Sequence, residues 1–99
     1  MTTKRLIPVH PGAILRDEFI EPLGLTAYRV AKQFHVPLPR LNDIVLEKRG
    51  ISSEMALRLS AYFGTTEQYW INLQADYERR IAKTKLGKSL KNIEPLQAA

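Results

Sequence analysis

Residues 25–50 read LTAYRVAKQFHVPLPRLNDIVLEKRG, and the placing of apolar and helix-breaking residues within them decides the fold. Thr26 carries a hydroxyl suited to capping a helix start, and Leu25 stands where an apolar staple packs on the first turn. Val30, Ala31 and Phe34 then recur at helical spacing, leaving Arg29, Lys32 and Gln33 outside the stripe. The run FHVPLP forces a turn, and a further helix is predicted from about Leu38 to Leu46, with Leu41, Ile44 and Val45 inward. About three residues separate the two helices, which is the spacing of a helix-turn-helix. In that arrangement small Ala31 lets the helices approach and Val36 plugs the turn. Leu38, Pro39, Arg40, Asn42 and Asp43 are left facing outward, where a short helix presents its first turn to a DNA major groove.

Upstream, His10-Pro11-Gly12 opens a first helix, since proline loses nothing at a first helical position. Ile14, Leu15, Phe19 and Ile20 follow helical spacing, and Arg16, Asp17, Glu18 and Glu21 take the wet face until Pro22 ends the segment. Downstream, the charged loop Glu47-Lys48-Arg49-Gly50 precedes a fourth helix capped by Ser52 or Ser53, with Ala56, Leu59 and Phe63 inward and Gly64 at its end. Thr65, three residues before Gln68, predicts a capping box opening a fifth helix that carries Tyr69, Trp70, Leu73, Tyr77 and Ile81 to about Lys83. No strand alternation or internal repeat is visible, so the class is all-α. The expected organisation is a flexible N-terminus over residues 1–9, a helical domain over 10–83 with its helix-turn-helix at about 26–46, and a flexible basic tail over 84–99.

Composition narrows the function classes. The absence of cysteine removes disulfides, thiolate metal sites and a cysteine nucleophile, and agrees with a reducing cytoplasm. The chain lacks the apolar run of a signal peptide and any stretch long enough to cross a bilayer, so a cytoplasmic protein with no membrane partner is expected. His10 and His35 have no third ligand at metal-binding spacing, and Asp17, Glu18 and Glu21 resemble a solvated face rather than an acid/base set. No catalytic constellation, cofactor motif or metal set is present, and the chain is not expected to be an enzyme. The net charge is +5, but Lys83, Lys85, Lys88 and Lys91 against Glu94 leave +3 of it on residues 83–99. Global charge is therefore weak support for nucleic-acid binding.

The blocks HPG, EPLGLT, VPLPRLNDIV and YFGTTEQYWINLQADYE, in this order between His10 and Ile81, resemble the HigA antitoxins, also called virulence-associated protein I-like. That family lies within the Xre/Cro helix-turn-helix superfamily. The resemblance implies a five-helix, lambda-repressor-like domain acting as a homodimeric autorepressor on double-stranded operator DNA. It also implies a toxin partner of the HigB type, a RelE-like mRNA-cleaving ribonuclease. By the same resemblance Arg40 and Asn42 are candidates for base edges, and Thr26 and Tyr28 for the DNA backbone. Lys48 and Arg49 fit phosphate clamps. Three departures from the superfamily pattern bear on the contacts: Ala27 replaces a common glutamine, His35 a common turn glycine, and Asp43 sets a carboxylate on the presumed DNA face. Tyr69, Trp70, Leu73 and Tyr77 are candidates for a dimer interface, with the intramolecular core the competing place for Trp70. An orphan regulator without a toxin, or an interaction module that has lost DNA binding, remain the alternatives.

Overall fold

The helices that follow His10, Thr26, Ser52 and Thr66 each begin where a side chain satisfies an amide that precedes the first intrahelical bond, whereas the one that follows Pro37 starts without such a cap. The computed structural model describes residues 8–97, so the expected mobile N-terminus lies, for residues 1–7, outside the described residues. Helix α1 (Pro11–Ile14) is capped by His10, whose Nδ1 accepts from the Gly12 N–H at 2.8 Å. It runs directly into a π-helical segment, Leu15–Ile20, closed by the Glu21 N–H donating to the Arg16 carbonyl at 3.0 Å. Helix α2 (Ala27–Phe34) starts on the Thr26 hydroxyl and ends on His35, which adopts a left-handed φ of 57°. Helix α3 (Leu38–Val45) follows, with Pro39 in its first turn. Ser52 caps α4 (Ser53–Phe63), and Gly64 terminates it. Helix α5 (Glu67–Leu86) leads into 3-10 turns over Gly87–Asn92. Among the described residues there is no strand, and no helix is long and apolar enough to cross a membrane.

Three expectations are corrected. The cap of α5 is Thr66, whose hydroxyl accepts from the Tyr69 N–H at 3.1 Å, rather than Thr65. Thr65 is occupied otherwise: its hydroxyl accepts the indole N–H of Trp70 at 2.7 Å. A buried indole needs such a partner. Trp70 is itself 0% exposed and has no surface to offer a second subunit, so it belongs to the core and not to a dimer interface. The stretch after Lys83 is also more regular than expected, because α5 continues to Leu86 and the 3-10 turns follow.

The core gathers Leu15, Val30, Leu41, Ile44, Met55, Leu59 and Trp70, all at most 1% exposed. Phe19 fills the gap between α4 and α5, with ring centroids 5.2 Å from Phe63 and 4.9 Å from Trp70. Beyond Tyr77 every described residue of α5 is exposed, and the molecule is accordingly long, 56 × 28 × 25 Å.

Seating α3 depends on contacts far apart in sequence. Gly12 presses against its end so closely that an added Cβ would lie 1.8 Å from the Ile44 carbonyl oxygen. Arg16 donates from Nη1 to the Val45 carbonyl at 2.7 Å, closing the C-terminus of α3 with a cation, and pairs with Glu47 at 3.2 Å. The Gln74 side-chain carbonyl accepts from the Ile51 N–H at 2.7 Å, tying α5 to the connection before α4.

The His10 cap makes part of this framework pH-dependent. His10 is 6% exposed, with the Tyr77 ring of α5 edge-on at 4.9 Å. Burial pushes its imidazole below the ordinary value, against a smaller upward pull from the Glu47 carboxylate. Only a neutral ring can accept at Nδ1. Since the folded pKa is depressed, the unfolded chain takes the proton first, and the cap's contribution is complete above about pH 6.5 and lost as the pH falls through the folded value. Urea unfolding at pH 7.5 and 5.0 is expected to show a loss on acidification in the native chain that is smaller in His10→Asn, whose amide caps without titrating. Equal losses in both would remove His10 as the cause.

Candidate nucleic-acid interface

The outward face of the helix-turn-helix is set by which residues of α3 are buried. At about 3.6 residues per turn, Pro39 and Asp43 lie opposite Leu41, with Arg40 and Asn42 on the two flanks. Leu38, Pro39 and Asn42 are exposed, whereas Arg40 and Asp43 are half-buried. The structure thus brings Leu38, Pro39, Arg40, Asn42 and Asp43 to one surface of α3, but Arg40 and Asn42 cannot address the same edge of it. The Pro37 carbonyl accepts from the Arg40 N–H at 3.1 Å, so the main chain at the start of α3 is fixed before any ligand arrives.

Helix α2 contributes its own start. The Thr26 hydroxyl accepts from the Arg29 N–H at 3.1 Å, and the first ladder bond runs from the Val30 N–H to the Thr26 carbonyl. The N–H groups of Ala27 and Tyr28 precede that bond and point out of the helix end, as in a site for an anionic oxygen. Tyr28 is 60% exposed, and the Lys32 ammonium lies 5.9 Å from its ring centroid. His35 takes the left-handed conformation that the turn requires, which explains how histidine stands where the superfamily has glycine.

The loop after α3 is folded back on it. The N–H groups of Lys48 and Arg49 donate to the Asp43 carbonyl at 2.8 and 3.2 Å, and Glu47 adopts a positive φ of 65°. Both cationic side chains are exposed and held close to the C-terminal end of α3. The expected dimer candidates divide. Tyr69 is 36% exposed, Leu73 packs partly on the core, and Tyr77 is half-buried against His10. Trp70 is excluded by burial.

Sequence reasoning missed Arg16, Gln74 and Glu54. Each acts through a partner 14 or more positions away: Val45, Ile51 and Arg40 respectively. Arg16 was assigned to the wet face, which is correct for its helix and silent about its reach. No periodic signal exists for such pairings.

No family model matches the chain. It is 48% identical over 75 residues to Virulence-associated protein I of Dichelobacter nodosus, covering 76% of this chain and 69% of that protein. Among solved structures, the Pseudomonas aeruginosa antitoxin HigA with the higBA promoter is 46% identical at a TM-score of 0.88, covering 91% of this chain and 99% of that one. The antitoxin GraA in complex with its operator is 36% identical at a TM-score of 0.87, covering 99% of this chain and all of that one.

Proposed function

The chain belongs to the family of HigA antitoxins and virulence-associated protein I, and from that premise we propose that it is a DNA-binding autorepressor that also neutralises a RelE-like ribonuclease toxin. The DNA half rests chiefly on one observation. The first turns of α2 and α3 and the Lys48-Arg49 loop form an exposed surface in a chain resembling antitoxins solved with promoter or operator DNA. In this reading Arg40 and Asn42 address base edges from the two flanks of α3, with Leu38 and Pro39 against the groove wall. Asp43 accepts from a cytosine amino group. Thr26, Tyr28, Lys48 and Arg49 hold phosphates, which fix register without reading sequence.

A homodimer would set two such surfaces about one turn of DNA apart, roughly 34 Å, on a palindromic site. Exposed Ile81, Leu86, Leu90 and Ile93, beyond the part of α5 that serves the core, supply apolar surface for the seam together with Tyr69. The toxin contact is supported by the family alone and is given no residues.

The test is selection from a randomised pool of duplexes, followed by fluorescence-anisotropy titration of the winner against a scrambled duplex. The native chain is expected to select a palindrome, and Arg40→Ala to relax one base position per half-site by about 1–3 kcal/mol. A selected sequence unchanged in Arg40→Ala would remove that residue from base reading. Binding with no preference for any duplex would favour the interaction module.

A further inference from the structure

The Arg40 side chain is not free on the surface of α3. Its Nη2 lies 3.8 Å from Oε1 of Glu54, in the first turn of α4. The same Oε1 accepts from Nη1 of Arg58 at 2.9 Å, one helical turn further along. Glu54 is well exposed and therefore makes no packing contribution that would account for it, while Arg40 is half-buried beside it. The order of the three groups is consequential. Arg58 fixes the Glu54 carboxylate from its own helix, and the fixed carboxylate draws the Arg40 guanidinium toward the flank of α3 that faces α4.

We propose that Glu54 is a positioning residue for Arg40: it orders the arginine before DNA arrives and thereby sets base preference, without touching DNA. This rests on the reading of α3 as a groove-entering helix. An arginine that reads a guanine edge must hold two parallel donors in one plane, and a long side chain ordered in advance loses less rotamer freedom on contact. The carboxylate has a second, opposing consequence. A negative charge beside the DNA face repels phosphate and so weakens binding to any sequence. Removing it should therefore raise affinity for random DNA while lowering the preference for the selected duplex. A carboxylate that only stabilised the start of α4 through the helix dipole would shift thermal stability and leave that preference unmoved.

The experiment compares native protein, Glu54→Gln, Arg40→Ala and the double variant, each titrated with the selected duplex and a scrambled one. Glu54→Gln is expected to bind scrambled DNA more tightly and to lose about fivefold or more in the ratio of selected to scrambled affinity, the lower end of what a bidentate arginine discriminates. In the Arg40→Ala background the same change should leave the ratio where it was. An unchanged ratio in Glu54→Gln, or an equal fall with and without Arg40, overturns the proposal. Arginine side-chain 15N relaxation in the DNA-free protein decides the positioning separately: the Arg40 Nε order parameter should fall in Glu54→Gln, and an unchanged value overturns the proposal too. If the native chain prefers no duplex, the DNA reading fails, and the relaxation measurement still decides whether Glu54 orders Arg40.

Discussion

Gly12→Ala is expected to destabilise the protein by at least about 3 kcal/mol, and to abolish folding if the native margin is small. The added Cβ would meet the Ile44 carbonyl oxygen at 1.8 Å and the carbonyl carbon at 2.9 Å, with His10 Nδ1 at 3.0 Å on another side. None of these is the far end of a flexible side chain. Relief requires α1 to move away from α3, which loosens the core they share and strains the bond from the Gly12 N–H to His10 Nδ1. Urea denaturation followed by the fluorescence of Trp70, the sole tryptophan and fully buried, measures the loss directly. Gly24→Ala is the control. Its φ of +67° carries a backbone penalty of about 1–2 kcal/mol, but no atom lies within 4 Å of the added Cβ. Gly12 has no positive φ and so carries no such backbone penalty. A loss in Gly12→Ala no larger than that in Gly24→Ala would mean that α1 yields to the added Cβ at little cost.

The contrast between those glycines marks where the sequence was legible. Val30, Ala31 and Phe34 on α2, and Leu41, Ile44 and Val45 on α3, were placed inward from spacing alone, because each contact repeats at the helical period. The capping role of Thr26 and the tolerance of His35 for a left-handed turn follow from local chemistry in the same way. Gly12 was legible only as part of a helix start. Its close approach depends on Ile44, and no local rule links positions so far apart. Met55 and Ile51 join the core without having been placed there, since Ile51 lies in the connection before α4 and the apolar residues of α4 also include exposed Leu57. Trp70 shows the limit most plainly. An aromatic at helical spacing fits a core and a seam equally well, and only the Thr65 hydroxyl at 2.7 Å from its indole, with full burial, separates them. For the candidate interface, the outward set on α3 was legible and the restraint of Arg40 by α4 was not.

Operator affinity is expected to collapse with salt, and the size of the collapse locates the charges that matter. A homodimer presenting Lys48 and Arg49 twice neutralises about four phosphates, giving a slope near −4 in log K against log salt and roughly a hundredfold loss between 50 and 200 mM. The two loop cations can act together because both their amides are anchored on the Asp43 carbonyl, which keeps the exposed side chains at one end of α3. Replacing Lys48 and Arg49 by alanine should reduce the magnitude of the slope by about 3–4 and weaken selected and scrambled duplexes alike. The basic segment from Lys83 to Lys91 supplies the discriminating comparison, since it holds four lysines of a chain whose net charge is +5. Changing those four to glutamine removes more charge per subunit than the loop variant does. If the slope nevertheless stays near −4, the phosphate contacts belong to the helix-turn-helix and the terminal lysines serve another end. If the slope drops with the terminal lysines and survives loss of Lys48 and Arg49, the loop is not the phosphate clamp, and α5 must lie along the DNA.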